Sequence, residues 1–246
     1  MRKTGDSIPE ERIARNLATV RARMGEAAAK AMRDPGSVTL VGVTKYATND
    51  EIAALIRLGV ADLGESRVQD AERKIEALSN ESLRWHLIGH LQTNKAGKAA
   101  TLFHTIHSID SARVALELEK EACKIAAQNS ATEFSIRGLI EINAAREDGK
   151  YGLPPDKEAL VELLKKCGEF RTLRIVGLMC MAPYAENPEP VSRPVFKRLR
   201  ELLEEASAAK IYPHPLTELS MGMTQDFEIA IAEGATLVRI GSALFE

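Results

Sequence analysis

Lys45 follows directly on an apolar, β-branched run in the segment Ser37–Ala47, SVTLVGVTKYA. A lysine in that place is either a solvated charge or, where desolvated, an amine nucleophile able to form a Schiff base with a carbonyl compound. Two glycine-containing turns lie near the other end of the chain. Ser220-Met221-Gly222-Met223-Thr224 is expected to open directly onto a helix at Gln225, and Arg239-Ile240-Gly241-Ser242 closes the last apolar run. Small residues in such turns let peptide N–H groups approach an anion, and a helix N-terminus adds a favourable dipole. Either turn alone is a common connector. Both together, at the ends of successive strands, point to a phosphate.

Other reactive side chains form no comparable pattern. His86 and His90 are four apart across a strand and its turn, so they do not make the i, i+4 metal pair of a helix. His104 and His107 are expected on opposite faces of one strand. No carboxylate or cysteine cluster accompanies any of them, and no metal site is expected. Cys123, Cys167 and Cys180 are odd in number and widely spaced, which argues against a disulfide framework. Cys180 reads as a buried apolar cysteine. Trp85 reads as a core or rim residue. Lys150 lies in the polar loop Asn143–Gly152, whose glycines are expected to let it reach across to the Lys45 face as a second amine.

The elements that must position these residues alternate regularly. Ile8–Met32 reads as a long amphipathic helix, with Ile13, Leu17, Val20 and Met24 at helical spacing. Val38–Val43 is a strand buried on both faces, as in parallel sheets. Thr48-Asn49-Asp50-Glu51 then starts a helix that ends at Gly59. Further strands are expected at Val60–Gly64, Arg84–Ile88, Phe103–Ile109, Ile136–Ile142, Leu173–Met179, Leu216–Met221 and Thr236–Ile240. Helices are expected at Val68–Leu78, Gln92–Ala100, from Asp110 or Ser111 to Ala127, from Pro154-Pro155 onward, Ser192–Ala209 and Thr224–Glu233. About eight strand–helix units without a composition break make an α/β chain with a single-domain (β/α)8 TIM-type barrel. The division expected is residues 1–35 as an N-terminal helix packed on the barrel, and 36–246 as the barrel itself. Only Gly241–Glu246 follow the eighth strand, too few for a closing helix, and the extra N-terminal helix is expected to fill that gap.

The chain has 246 residues, 45% of them hydrophobic, enough for one barrel with a full core. A net charge of −2 gives no basic field for nucleic acid. The apolar runs are strand-sized, against the roughly 20 residues of a membrane helix, and the N-terminus lacks an apolar h-region. A reduced cytoplasmic protein is expected. In a closed barrel, strand one lies beside strand eight, so Lys45 faces the turns after strands seven and eight, where barrels often hold phosphate. A phosphorylated aldehyde uses amine and anion site together. Pyridoxal phosphate is such a ligand, with Arg239 placed to face its ring nitrogen. A different phosphorylated metabolite, with Lys45 a simple cation, is the competing assignment.

The segments VGVTKYA, LGESRVQDAERKI, WHLIGHLQTNK, HSID, INAAREDGKYG, GLMCMAP and LSMGMTQDFEIAIAEGATLVRIG, in this order, resemble the pyridoxal phosphate homeostasis proteins. The resemblance spans roughly Val38–Phe245 and implies an alanine-racemase-type (fold type III) barrel. It further implies that Lys45 holds the cofactor as an aldimine. Ser220, Gly222, Met223 and Thr224 match the first phosphate turn, Gly241 and Ser242 the second, and Arg239 the arginine at the pyridine nitrogen. An arginine there disfavours a protonated ring nitrogen and makes the ring a weaker electron sink. The racemases also carry a second, β-rich domain with their other catalytic base. The expected function is therefore a non-catalytic carrier or buffer of pyridoxal 5'-phosphate, monomeric, with apo pyridoxal-phosphate enzymes as recipients. The alternative is a racemase- or decarboxylase-type catalyst, for which the sequence offers no obvious second acid/base. Ser66 stands where the family has Asn after Gly-Glu, at a polar contact near the ring. The chain stops at Leu244-Phe245-Glu246, without the family's following glycine and short tail, so the last turn is expected to be short or frayed.

Overall fold

A computed structural model describes residues 9–78, 82–128 and 134–246. In chain order the elements are α1 (Pro9–Lys30), β1 (Thr39–Val43), α2 (Asn49–Arg57), β2 (Asp62–Glu65), α3 (Val68–Leu78) and β3 (Arg84–Leu87). They continue with α4 (Ala96–Leu102), β4 (Thr105–Ile109), α5 (Ala112–Gln128), β5 (Ile136–Glu141), α6 (Lys157–Cys167) and β6 (Leu173–Met179). Last come α7 (Glu189–Ala208), β7 (Glu218–Ser220), α8 (Phe227–Ala232), β8 (Leu237–Ile240) and α9 (Ser242–Phe245). The eight strands form a closed parallel barrel in sequence order, sealed by β8 against β1 with Val41 opposite Arg239. The expected α/β barrel with its extra N-terminal helix is what the chain folds into.

Alternation along the strands separates two interiors. A methyl at Gly42 would meet Leu55 of α2 at 2.8 Å, so that side of β1 faces the helices and Val41 and Val43 point inward. The main apolar core lies between sheet and helices, and includes Trp85, Leu87, Ile106, Phe196 and Phe227. Inside the barrel, Leu139, Val176 and Met179 form a small separate apolar cluster. The other inward positions are largely polar, and that distribution defines the site.

α1 packs against α2, α8 and α9 and closes the outer ring where the helix after β8 is only one turn long. Ile13, Leu17, Val20 and Met24 are all buried in that contact, each worth roughly 1.5–3 kcal/mol. The expected start at Ile8 lies outside the described residues. The chain end is not frayed: Leu244 is buried, and Asn16 Nδ2 of α1 donates to the Leu244 carbonyl at 3.2 Å. Four helix starts differ from expectation. α4 begins at Ala96 rather than Gln92, because Thr93–Lys95 form a tighter 3-10 turn first. α6 begins at Lys157 because the Asp156 carboxylate accepts from the Ala159 N–H at 2.9 Å, while Pro154 and Pro155 have no N–H to offer. α7 begins earlier, at Glu189, since a proline in the first turn loses no helical bond. α8 begins at Phe227, because Asp226 folds back on Met223 and holds residues 224–226 in a turn.

Candidate functional site

The carboxyl end of β1 is braced before it reaches Lys45. The buried Glu65 carboxylate pairs with Lys74 and accepts from Thr44 Oγ1 at 2.8 Å. Lys74 Nζ also donates to the Thr44 carbonyl at 2.6 Å. The peptide preceding Lys45 is thus clamped, while the side chain is exposed, with its ammonium 5.0 Å from the Tyr46 ring centroid. No hydrogen bond or ion pair joins Lys45 to another described residue. It lines a cleft of about 330 Å³ with Tyr46, Asp70 and Lys74. The backbone sets it beside the second turn, since a methyl at Gly241 would lie 3.4 Å from Val43 Cβ.

The two turns after β7 and β8 meet through Ser242 Oγ donating to Thr224 Oγ1 at 3.2 Å. The peptide N–H groups of Gly222, Thr224, Gly241 and Ser242 find no acceptor among the described residues. Such a group of donors in a concave turn pair is an anion cradle. Gly222, at φ +91°, passes so close to α8 that a methyl would sit 2.5 Å from Ala230 Cβ. Met223 takes a different part: its N–H donates to Asp226 Oδ1 at 2.7 Å, and Asp226 Oδ2 accepts from Ser192 Oγ at 2.9 Å. Asp226 therefore shapes the first turn from behind. The helix does not open directly at Gln225, and what faces an anion is the turn itself.

Ser220 and Arg239 are drawn inward. Arg239 is buried, donating from Nη1 to Ser220 Oγ at 2.5 Å and from Nη2 to the Cys180 carbonyl at 2.9 Å. Ser220 Oγ is also 2.8 Å from His107 Nδ1, so its hydroxyl holds Arg239 rather than facing the cradle, and its carbonyl accepts from the Cys180 amide at 3.2 Å. The chain continues: His107 Nε2 lies 2.9 Å from His86 Nδ1, and His86 Nε2 lies 3.0 Å from Asp62 Oδ1. Arg84 then closes on Asp62 through two bonds of 2.7 and 2.6 Å. Burial keeps His107 well below the usual imidazole range, helped by the Arg239 and Arg137 guanidinium groups around it. Arginine has only donors, so Arg239 donates into Ser220 Oγ, the Ser220 hydroxyl donates on to His107 Nδ1, and each imidazole passes its N–H toward Asp62. Burial alone would raise the Asp62 carboxyl, but its bonds from His86 and Arg84 outweigh that and hold it well below the ordinary carboxylate range.

Glu141, the last residue of β5, is 5% exposed and has no hydrogen bond or ion pair from its side chain among the described residues. Burial, reinforced by Asp110 and opposed by Arg239, pushes its carboxyl up to about 7. The sequence offered no obvious second acid/base; Glu141 is a buried titratable group in this place, and a carboxylate at the end of the strand IRGLIEI was its signal. The His86–His107 pair left no such signal, because it spans neighbouring strands. Asp110 pairs with His90 at 3.1 Å, and the Tyr151 ring stacks on His90 at 3.7 Å. These residues, with Lys150 and Arg113, line a cleft of about 670 Å³. The Lys150 loop is braced rather than loose: Asn143 bonds Glu147 in both directions, and the Leu153 amide returns to the Glu141 carbonyl at 2.8 Å.

Ser66 is half-buried after β2, its carbonyl only 2.3 Å from where a methyl on Gly89 would be, so the loops after β2 and β3 touch backbone to backbone. Cys180 is no nucleophile: complete burial pushes its thiol up to about 12. Among the described residues no group of His, Cys, Asp and Glu is arranged to hold a metal ion.

The family model for the alanine racemase N-terminal domain matches residues 8–246. A pyridoxal phosphate homeostasis protein of Aquifex aeolicus is 41% identical over 229 residues, covering 93% of this chain and 95% of the relative. One of Pseudomonas aeruginosa is 38% identical, covering 95% and 94%. The structure of PipY from Synechococcus elongatus, described as having PLP bound, superposes with a TM-score of 0.79 at 32% identity, covering 95% of this chain and all of that one. Matches of this identity along nearly the whole length leave one assignment: the chain belongs to the pyridoxal phosphate homeostasis protein family.

Proposed function

We propose that this protein binds pyridoxal 5'-phosphate and serves in its homeostasis as a carrier or buffer, without catalytic turnover. The observation that carries the reading is the paired turn after β7 and β8, where four named amides lack an acceptor beside an arginine without a carboxylate partner. The residues present fit the cofactor. The N–H groups of Gly222, Thr224, Gly241 and Ser242 receive the phosphate, with the Ser242 and Thr224 hydroxyls between the turns. Met223 and Ser220 hold those turns in shape. Arg239, kept rigid by Ser220 and the Cys180 carbonyl, faces the ring nitrogen and discourages its protonation. Ser66 borders the ring from β2. Lys45, unpartnered at the adjoining strand end, attaches the aldehyde carbon as a Schiff base with loss of water.

When bound, the cofactor supplies an electrophilic aldehyde and an electron-withdrawing ring. An arginine at the nitrogen limits the second property, which favours holding over turnover, and the relatives are named for homeostasis rather than for a reaction. Lys150 is the second amine at this face, drawing the anionic cofactor to the mouth or exchanging it onward to apo pyridoxal-phosphate enzymes. We extend the reading to a monomer acting in the cytoplasm.

The test is Lys45→Ala. The wild type mixed with the cofactor is expected to absorb in the visible, and borohydride reduction to fix the label on the peptide containing Lys45. The variant is expected to lose both while its stability changes by about 0.5 kcal/mol, as for an exposed side chain. Full labelling of the variant at equal stoichiometry on another peptide would sink the assignment.

A further inference from the structure

We propose that Glu141 belongs to the cofactor site as its proton-carrying group, a buried carboxylate without an ion partner among the described residues that takes up a proton, and so becomes a neutral acid, as the anionic cofactor enters. This deepens the pyridoxal phosphate reading and rests on it. β5 lies four strands from β1 in a closed eight-strand barrel, so Glu141 stands across the same mouth from Lys45. Its side chain shares the inward face of Leu139, two residues earlier, above the small apolar cluster that floors the barrel.

The other inward or buried acids of the barrel each have at least one ion or hydrogen-bond partner, although Glu218 leaves its Oε2 without one. Asp62 has Arg84 and His86, Glu65 has Lys74 and Thr44, Asp226 has Ser192 and the Met223 amide, and Glu218 has Arg137. Glu141 alone among these has no partner within the described residues. Its charged neighbours come from three sides: Asp110 beyond β4, Arg239 on β8, and Cys180 beyond β6, a thiol that stays neutral. Asp110 is turned toward His90, and the Arg239 donors described above point to Ser220 and Cys180. A buried acid without a counter-ion lowers its cost by staying protonated, and a carboxylic acid in that form is a hydrogen-bond donor.

The phosphate of the cofactor carries negative charge into the same mouth. A like charge adds to burial and raises the carboxyl further above its value in the empty site. The loaded protein therefore holds more protons than the empty one above about pH 7. By linkage, affinity is fully present below that pH and falls by up to tenfold per pH unit above it, until the loaded-state value is reached.

The probe is pyridoxine 5'-phosphate, which has an alcohol in place of the aldehyde and so leaves Lys45 chemistry out. Its affinity is measured by calorimetry between about pH 6.5 and 8.5 for wild type and Glu141→Gln, the ligand's own ionisation being common to both. The ratio of variant to wild-type affinity is expected to be near one at the lower pH and to rise at least about fivefold at the upper. Proton uptake by the wild type at the upper pH, read from two buffers of different ionisation enthalpy, should exceed that of the variant. A ratio that stays constant, or equal proton uptake, overturns the proposal while leaving the cofactor reading intact. Should Glu141→Gln not fold, Glu141→Met is measured against the same expectation. If the wild type binds neither pyridoxal 5'-phosphate nor its alcohol, the cofactor reading falls and this inference falls with it.

Discussion

Asp62 and Glu141 are acids buried in one barrel, and burial raises the carboxyl of each. Partners decide the outcome. Asp62 ends a hydrogen-bonded line from Arg239 and is gripped by Arg84, so it stays ionised; Glu141 has no such grip and titrates near neutrality. Removing the Asp62 carboxylate leaves the Arg84 guanidinium and the His86 N–H without their acceptor. Arg84 is half exposed and can turn to water, so Asp62→Ala is expected to cost about 1–3 kcal/mol at pH 7, chiefly from the buried His86 N–H left without an acceptor. The sign of the pH dependence follows from a folded-state carboxyl held below its unfolded value. The stabilisation is complete above about pH 4 and fades as the pH falls below that, so the wild type and variant should converge in acid. Urea unfolding at several pH values measures it, and a constant difference down to acid pH would contradict the account. None of this line was legible beforehand: His86, His107 and Asp62 lie on three strands, and spacing along a chain does not report contact across a sheet.

The turn after β7 shows how one element sets the position of the cradle. Gly222 and Gly59 both take positive φ, at +91° and +82°, yet a methyl at Gly59 meets nothing within 4 Å while one at Gly222 drives into α8. Gly59→Ala is expected to cost about 1–2 kcal/mol, the backbone strain alone. Gly222→Ala is expected to cost about 3 kcal/mol or more, because α8 must also shift. It should weaken pyridoxine 5'-phosphate binding as well, whereas Gly59→Ala should not. Denaturation curves and calorimetry on the two variants decide it; equal costs would show that the close approach to α8 is unimportant. The glycine itself was readable in SMGMTQD as part of an anion turn. The start of α8 was not, since it depends on Asp226 choosing the Met223 amide and on Ser192 of α7 holding the other carboxylate oxygen.

Across the whole molecule, α1 is an integral part of the outer ring. Besides its apolar stripe it is tied by Arg12 to Glu51 of α2, by Arg23 to Glu228 of α8 and by Asn16 to the last turn. Surface ion pairs of this kind add little, so the buried stripe carries the contact. A chain beginning near Asp34 is expected to expose the faces of α2, α8 and α9 and to fail to fold as a monomer. Circular dichroism and size-exclusion chromatography test this. A cooperative melt of the truncated chain close to that of the full one would show that residues 1–35 form a separable unit. The expectation of two segments within one structural domain would then need revision.

Periodicity along the chain determined the barrel. Strands buried on both faces alternate with amphipathic helices through about eight units, the count and pattern of a closed parallel barrel. It also determined which end of the barrel bears the chemistry, because Lys45 and both glycine turns follow their strands. Residue types then named an amine, an anion cradle and an arginine. Only the tertiary structure decided how these are deployed: Lys45 outward and unpartnered, Ser220 turned from the cradle to Arg239, the Lys150 loop braced, and Glu141 set across the mouth with no partner. The reason is physical. Secondary structure follows from near neighbours in sequence, whereas the charge state and partner of a buried side chain depend on groups brought beside it from distant strands, and those are fixed only when the barrel closes.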